Sequence, residues 1–266
     1  MIQSDTKQHF LMMLETSNYL NRLESKQFSI FTQKFHNSLA KTLHLYEAKI
    51  VYKDNNTYLL IFNTANNAIG CALKIQSNFK YITPKFDGGF RKLQIGISCT
   101  NSDYDLVLRK PSVGSTPYYM CEWIPDTIVI SKAVQSYFKK ENKNAEIDTS
   151  QIRILSTKDE YFLKRVMNYL DDSWKRSEFK MNAIPEIVGY SASGFYKKLK
   201  RLTGKSPNSL FREFRLRRAL KSLYKNGGNV RDIAKYSGFK SSSYFSKCFE
   251  DTFGVLPSRY IQKHNY

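Results

Sequence analysis

Short apolar runs and helical spacings alternate along the first half of the chain, and they predict strands and helices in turn. Continuous apolar runs of strand length occur at HFLMMLE (9–15), LQIGIS (93–98) and DTIVIS (126–131). Two other segments repeat apolar residues at three- and four-residue intervals, which indicates one face of a helix, and the second of these helices is expected to end at Pro84. The repeating positions are Phe28, Phe31, Phe35, Leu39, Leu43 and Tyr46 in the first segment, and Ala65, Ala68, Ile69, Ala72, Leu73 and Phe79 in the second.

The segment VYKDNNTYLLIF (51–62) predicts a hairpin between these two helices. Its polar tip, Lys53 to Thr57, separates a short lead-in from the apolar strand Tyr58 to Phe62. The order of elements therefore predicts an α+β sandwich with its helices on one face of the sheet. Residues 140–157 are more polar around one short apolar run, and we expect the boundary between two domains, 1–157 and 158–266, at their end.

An internal repeat organises the second half of the chain, where the pattern is helical throughout. IPEIVGYS (184–191) aligns with VRDIAKYS (230–237), and FYKKLKRLTGKSP (195–207) aligns with FSKCFEDTFGVLP (245–257). Each copy predicts a short helix, a turn, and a second helix that ends at a glycine before a proline. Ser191 and Ser241 are the expected N-caps of these second helices. Because a long helix is predicted between the copies, we expect an all-α domain with two helix-turn-helix units.

Positive charge is concentrated in this repeated half. The chain has 42 Lys and Arg residues against 23 acidic residues, a formal net charge of +19. Residues 158–266 carry 23 of the basic and 10 of the acidic residues, a net charge of +13. Such a domain is expected to bind a polyanion, although charge alone does not distinguish DNA from RNA or from an acidic membrane surface.

Composition argues against several other classes of protein. Since no apolar run approaches the roughly 18 residues of a membrane span and polar residues interrupt any signal peptide, we expect a cytoplasmic protein without a membrane partner. The four cysteines are scattered, with no histidine at ligand spacing, so free thiols are expected rather than a metal site. They are Cys71, Cys99, Cys121 and Cys248. No cofactor and no catalytic residue is predicted.

The motifs IAKYSGF (233–239), SYFSKCF (243–249) and FGVLPSRY (253–260) resemble the DNA-binding domain of AraC/XylS-type transcriptional regulators. The resemblance covers about residues 159–262 and implies a bacterial regulator that places two recognition helices in successive major grooves of double-stranded DNA, one turn or roughly 34 Å apart. The positions that it assigns to base contacts are Ser193, Tyr196, Lys197, Ser242, Ser243 and Lys247. The positions expected at phosphates are Ser191, Lys200, Arg201 and Lys240. The positions expected in the core are Phe195, Leu199, Phe245 and Phe249.

The first half is similar to the class III nucleotidyl cyclase domain in the order of its elements. The segments NTANNAIGCALKIQ (63–76) and YYMCEWIPDTIVISKAV (118–134) add to this similarity, which spans residues 9–135 and implies a ferredoxin-like sandwich. The family's two metal-binding aspartates fall here on Met13 and Asn56. Its transition-state Asn and Arg positions fall on Ser115 and Tyr119. Because paired catalytic metal ions need carboxylate ligands, we expect a degenerate domain without catalysis.

The expected function is that of a sequence-specific DNA-binding transcriptional regulator. The roles left open for its first domain are homodimer formation, binding of an unidentified small-molecule effector in the former cleft, or both. The alternative is a nucleotide-binding or weakly active cyclase with a DNA-binding tail, which would need acids at positions 13 and 56. A protein-interaction module would need neither the duplicated helices nor the charge of the second domain.

Overall fold

The short apolar runs of the first half form the strands of one sheet. The computed structural model describes residues 8–16, 25–54, 57–82, 93–101, 116–124, 128–143, 145–174, 181–226 and 228–264. Within these residues the strands are β1 (His9–Glu15), β2 (Lys49–Lys53), β3 (Thr57–Phe62), β4 (Gln94–Thr100), β5 (Ile128–Ser131) and β6 (Ile152–Leu155). Their order in the sheet is β2-β3-β1-β4-β5-β6. The first four are antiparallel neighbours, whereas β4, β5 and β6 run parallel to one another.

The helices of this half are α1 (Ser25–Leu45), α2 (Ala65–Ile82), α3 (Thr116–Trp123) and α4 (Lys132–Glu141). Three of these described helices, α1, α2 and α4, cover one face of this sheet, here called the first face. Phe35 and Leu39 of α1, Ile69 of α2 and Val134 of α4 share one buried core with the side chains that alternate residues of the strands direct to this face. The predicted hairpin and both predicted helices are therefore confirmed within the described residues, and Pro84 lies outside them.

The second face of the sheet is also covered, which the sequence analysis did not predict. Helix α3 packs there against β1 and β4. The approach is so close that a Cβ on Gly96 would lie 2.3 Å from the carbonyl oxygen of Pro117 and 2.8 Å from Met120 Cβ. The expectation of helices on one face only was wrong, because β1, β3 and β5 are apolar on both sides. Continuous apolar strands of this kind are typical of strands buried on both faces.

Strand β6 lies in the polar segment where the sequence analysis predicted a boundary and no strand. Its Ile152 pairs in parallel register with Ile128 of β5 and belongs to the core. The signal in the sequence is weak because the strand has only four residues, two of which are partly exposed.

Helices make up the second half of the chain, as predicted. They are α5 (Thr157–Ser173), α6 (Ile184–Val188), α7 (Ala192–Thr203), α8 (Pro207–Asn226), α9 (Val230–Tyr236), α10 (Ser242–Phe253) and α11 (Pro257–His264), with a 3-10 turn at Met181–Ala183. The chain divides into two compact units, Met1–Lys164 and Arg165–Tyr266, and the division falls within α5. The boundary that the sequence analysis placed after residue 157 lies at the start of the same helix.

The repeat in the sequence corresponds to two helix pairs, α6–α7 and α9–α10. Pro185 lies in the first turn of α6, where the missing N–H is tolerated. Phe245, Phe249 and Phe253 of α10 are buried in a row of contacting rings, and the central ring, that of Phe249, also meets Tyr260 of α11 edge-on. This row anchors one side of α10 and leaves its other side exposed.

Candidate nucleic-acid interface

Helices α7 and α10 have the same construction. The Ser191 hydroxyl caps α7 by accepting a hydrogen bond from the Gly194 N–H (3.2 Å), and the Ser241 hydroxyl caps α10 by accepting one from the Tyr244 N–H (3.3 Å). Both predicted N-caps are therefore confirmed. Each helix has 12 residues, and the glycine that follows each of them donates its N–H to a carbonyl of the last turn.

The predicted contact residues all lie on exposed positions of the second unit. Exposed side chains are Ser191, Ser193, Tyr196, Lys197, Lys200, Arg201, Lys240, Ser242, Ser243 and Lys247. The four positions expected in the core are buried: Phe195, Leu199, Phe245 and Phe249. The exposed set is thus available to a ligand, and its contacts with DNA bases or phosphates stay predictions.

Two lysines of α7 lie close to tyrosine rings. Lys198 donates a hydrogen bond to the Tyr190 hydroxyl (2.8 Å), and its ammonium also lies 5.0 Å from the Tyr190 ring centroid. The Lys200 ammonium lies 5.9 Å from the centroid of the Tyr196 ring. By contrast, no hydrogen bond or ion pair joins the ammonium groups of Lys197 and Lys247 to any other residue that the structure describes.

Tyr244 is an exposed aromatic residue that the sequence analysis did not select. It is the third residue of α10, at the position that Gly194 occupies in α7, and 52% of it is exposed. Aromatic rings in such positions offer a stacking surface or apolar contact to the thymine methyl group. The sequence could have indicated it, because Tyr244 falls outside the helical spacing of the buried residues Phe245 and Phe249.

Several arginines of the segment REFRLRR (212–218) form contacts inside the domain. The Arg217 guanidinium donates to Glu213 (3.0 Å), which also pairs with Lys205, and Arg218 donates to Asp171 (2.7 Å). Burial alone would raise the pKa of Glu213, but Arg217 and Lys205 hold that pKa below its ordinary value. Part of the positive charge of the second domain therefore stabilises the fold.

Arg215 joins α8 to two other parts of the same unit. Its Nε donates to the Trp174 carbonyl (3.2 Å) and its Nη1 to the Gly238 carbonyl (3.1 Å). Gly238 has φ of 75°, and a Cβ there would lie 2.7 Å from the guanidinium carbon, so only glycine fits this turn between α9 and α10. Burial lowers the pKa of Arg215. The residue fixes the turn that leads into α10.

The hairpin of the first unit is closed by hydrogen bonds of Asp54. Its N–H donates to the Thr57 carbonyl (2.9 Å), and its carboxylate accepts from the Thr57 N–H (2.7 Å) and from the Tyr52 hydroxyl (3.0 Å). These bonds hold the two strands of the hairpin together at the tip. Asn56, at the tip, and Ser115 lie outside the described residues.

The register of β1 and β3 places Glu15 beside the hairpin tip. Glu15 faces Thr57, the last residue of the tip, whereas Met13 faces Leu59 further along the strand. Both Glu15 and Met13 are buried. The residue of β1 that faces the tip is thus an acid, Glu15, whereas spacing along the chain placed the family's first aspartate position on Met13.

Other features of the first unit do not assemble into a site within the described residues. Tyr119 is buried, with its ring edge-on to that of Tyr118 at 6.1 Å. No three His, Cys, Asp or Glu side chains of the described segments come together as a metal site requires. All four cysteines are free thiols, as predicted, and burial raises the pKa of Cys71 to about 12. No described helix is long and apolar enough to cross a membrane.

Part of the second half matches a known family of protein domains. Residues 185–263 match the family model described as a helix-turn-helix domain. The chain is 33% identical over 127 residues to histidine kinase P4 of Formosa agariphila, which is 48% of this chain and 9% of that protein. It is 35% identical over 105 residues to the HTH-type transcriptional activator RhaR of Pectobacterium carotovorum, which is 40% of this chain and 37% of the relative. The chain therefore spans well under two thirds of these relatives.

Two solved structures are more distant. A transcriptional regulator with an AraC-type DNA-binding domain from Chromobacterium violaceum is 21% identical with a TM-score of 0.37, covering 39% of this chain and 91% of that one. The guanylate cyclase domain of RhGC from Catenaria anguillulae, in complex with GTP, is 15% identical with a TM-score of 0.31, covering 35% and 57%. Because both TM-scores are low, only the sequence matches identify the family of residues 185–263. Residues 185–263 form an AraC-type helix-turn-helix domain.

Proposed function

We propose that this chain is a sequence-specific transcriptional regulator that binds double-stranded DNA through α7 and α10. The two helices would lie in successive major grooves on one side of the duplex, about 34 Å apart. Ser193, Tyr196, Lys197, Ser242, Ser243 and Lys247 would contact bases. Ser191, Lys200, Arg201 and Lys240 would contact phosphates, which position the protein without specifying sequence.

The observation that supports this proposal most directly is the exposed side of α7. All four basic residues of this helix, Lys197, Lys198, Lys200 and Arg201, lie outside the core, whereas Phe195 and other apolar residues fill the opposite side. A helix fits the DNA major groove, which is about 12 Å wide, and positive side chains favour its approach to the phosphates. The match to the helix-turn-helix family covers this helix.

The salt dependence of DNA binding tests the proposal. The full-length chain should bind duplex DNA with an affinity that falls steeply with salt, with a log–log slope of roughly −4 or steeper if five or more phosphates are neutralised. Fluorescence anisotropy with labelled genomic duplexes at several salt concentrations measures this slope. Binding that does not change with salt, or no binding to any genomic duplex, would contradict the proposal.

For the first unit we propose a role in homodimer formation, in binding of an unidentified effector, or in both, within a cytoplasmic protein. An apolar sheet face that was open could pair with a second copy, but the second face of this sheet is already covered by α3 in the single chain, and Met13, Leu59 and Ile61 are buried there. A dimer would therefore use another surface of this unit. Sedimentation velocity at micromolar concentration tests it, since a monomer under these conditions would contradict the dimer.

One observation favours the second candidate, a nucleotide-binding or weakly active cyclase with a DNA-binding tail. This observation is the carboxylate of Glu15 beside the hairpin tip. Two-metal catalysis needs a second carboxylate, and the hairpin position carries Asn56, an amide. We therefore propose that the chain is not an enzyme.

A further inference from the structure

The equal lengths and equivalent caps of α7 and α10 allow a comparison position by position. Each helix is 12 residues long, follows a capping serine and ends before a glycine. Lys197 and Lys247 are the sixth residues of their helices. The ninth and tenth residues are Lys200 and Arg201 in α7, but they are Glu250 and Asp251 in α10.

This difference reverses the sign of the charge near the C-terminal end of the exposed side of α10, compared with α7. Helix α7 carries four basic residues and no acid, whereas α10 carries one lysine and two acids. Both Glu250 and Asp251 are exposed. Because residues three and four positions apart are neighbours on a helix surface, these acids lie on the same side of α10 as Lys247.

Local folding does not explain the two acids. Carboxylates near the C-terminal end of a helix are unfavourable, since the helix dipole is negative there. Neither acid forms a side-chain hydrogen bond or an ion pair with any residue that the structure describes. Their position on the exposed side therefore points to an effect on what α10 contacts.

We propose that Glu250 and Asp251 weaken the contact of α10 with the DNA phosphates, so that α7 supplies most of the electrostatic affinity. The inference rests on the proposed DNA-binding function. Carboxylates at the places where Lys200 and Arg201 meet phosphates in the first helix pair repel the phosphates of the second. Helix α10 then stays on DNA only where its base contacts are favourable, which makes its binding depend on sequence more than that of α7.

A charge exchange between the two helices tests this proposal in the full-length chain. The variant Glu250→Lys, Asp251→Arg copies α7 and should gain two phosphate contacts. Its affinity for duplex DNA should rise between about tenfold and about 60-fold at 0.1 M salt, and its log–log salt slope should steepen by about 2. The isosteric variant Glu250→Gln, Asp251→Asn removes the repulsion alone and should bind more tightly than the wild type with little change in slope.

A matched control separates a local effect from a general gain of charge. Glu186 and Asp232 are exposed acids in the first turns of α6 and α9, the first helices of the two pairs. The variant Glu186→Gln, Asp232→Asn changes the net charge as much as the isosteric variant does, but its affinity should stay close to that of the wild type. Circular dichroism of each variant checks that it is folded.

The outcomes distinguish this inference from the proposed function. Tighter binding by both α10 variants, but not by the control, supports it. If the wild type binds DNA and the α10 variants bind equally or more weakly, the inference is contradicted while the proposed function stands. If neither the wild type nor the charge-exchanged variant binds any duplex, both are contradicted.

Discussion

Lys197 differs from Lys198 and Lys200 of the same helix because its ammonium group is not engaged with another described residue, and the same is true of Lys247 in α10. Lys198 is held by Tyr190, and Lys200 lies over the ring of Tyr196. An exposed ammonium at the middle of a recognition helix can reach the O6 and N7 acceptors of guanine in the major groove. Lysines held near the end of the helix are better placed for phosphates.

We predict that Lys197→Ala and Lys247→Ala each change the preference at one base position by about 1–3 kcal/mol, because a guanine contact is lost. Lys200→Ala should instead weaken binding to all sequences alike, since a phosphate contact carries no base information. Selection of binding sites from random duplexes, with all three variants in the full-length chain, measures both effects. Unchanged base preferences for both Lys197→Ala and Lys247→Ala would show that our assignment of base contacts is incorrect.

The resemblance to the AraC/XylS family predicted which residues of α7 and α10 are exposed, but not which basic residues form contacts inside the domain. Phe195 and Phe245 are buried at the predicted positions because a regular helix separates its core side from its exposed side. Arg215 and Arg218 look equally basic in the sequence. Their partners lie more than 20 residues away along the chain, so only the tertiary structure shows them.

At the scale of elements, α1 and the β2–β3 hairpin meet through a partly buried histidine. His36 of α1 is hydrogen-bonded through Nδ1 to the hydroxyl of Tyr58 on β3. Burial, and then the charge of Lys53, lowers the pKa of His36 below its ordinary value of 6.5. Burial, and then Asp54, raises the pKa of Tyr58 to about 12, so its hydroxyl stays protonated at neutral pH.

We predict that the first unit loses stability as the pH falls below about 6.5. The unfolded chain binds a proton at His36 more readily than the folded chain does, so stability is full above the unfolded pKa and decreases toward the lower, folded pKa. His36→Gln should reduce this loss between about pH 7.5 and pH 5.5. The change His44→Gln, at an exposed residue of the same helix, serves as the control.

Fluorescence can report this transition in the first unit alone. The chain has two tryptophans, Trp123 in the first unit and Trp174 in the second, so a Trp174→Phe background leaves one reporter. Thermal unfolding is then followed at several pH values. Equal pH dependence in the His36→Gln variant and its parent would refute the role of His36.

Elements with long, regular patterns were predictable, whereas short ones defined by tertiary contacts were not. The runs of β1 and β3 and the spacing of α1 and α2 gave clear signals. Strand β6 was missed because four partly polar residues become a strand only by pairing with β5. The position of α3 was missed because nothing in its own pattern indicates the sheet face against which it packs.

On the scale of the whole molecule, the two units differ in what their residues can do chemically. In the first unit, Glu15 is the acid that faces the hairpin tip from β1, and the hairpin position of the family's second aspartate carries Asn56. We predict that the full-length chain makes no cyclic nucleotide from ATP or GTP with Mg²⁺ or Mn²⁺, because one carboxylate does not hold a metal pair. Mass spectrometry of the reaction measures this, and a cyclic product that disappears in Glu15→Gln would contradict the prediction.

Hydroxyl-radical footprinting on a selected binding site tests whether α7 and α10 together bind one side of a DNA duplex. We expect two protected patches about 10 base pairs apart, since the helices would enter successive major grooves. Lys197→Ala should reduce protection in one patch and Lys247→Ala in the other. A single protected patch that responds to both variants, or protection without regard to sequence, would contradict it.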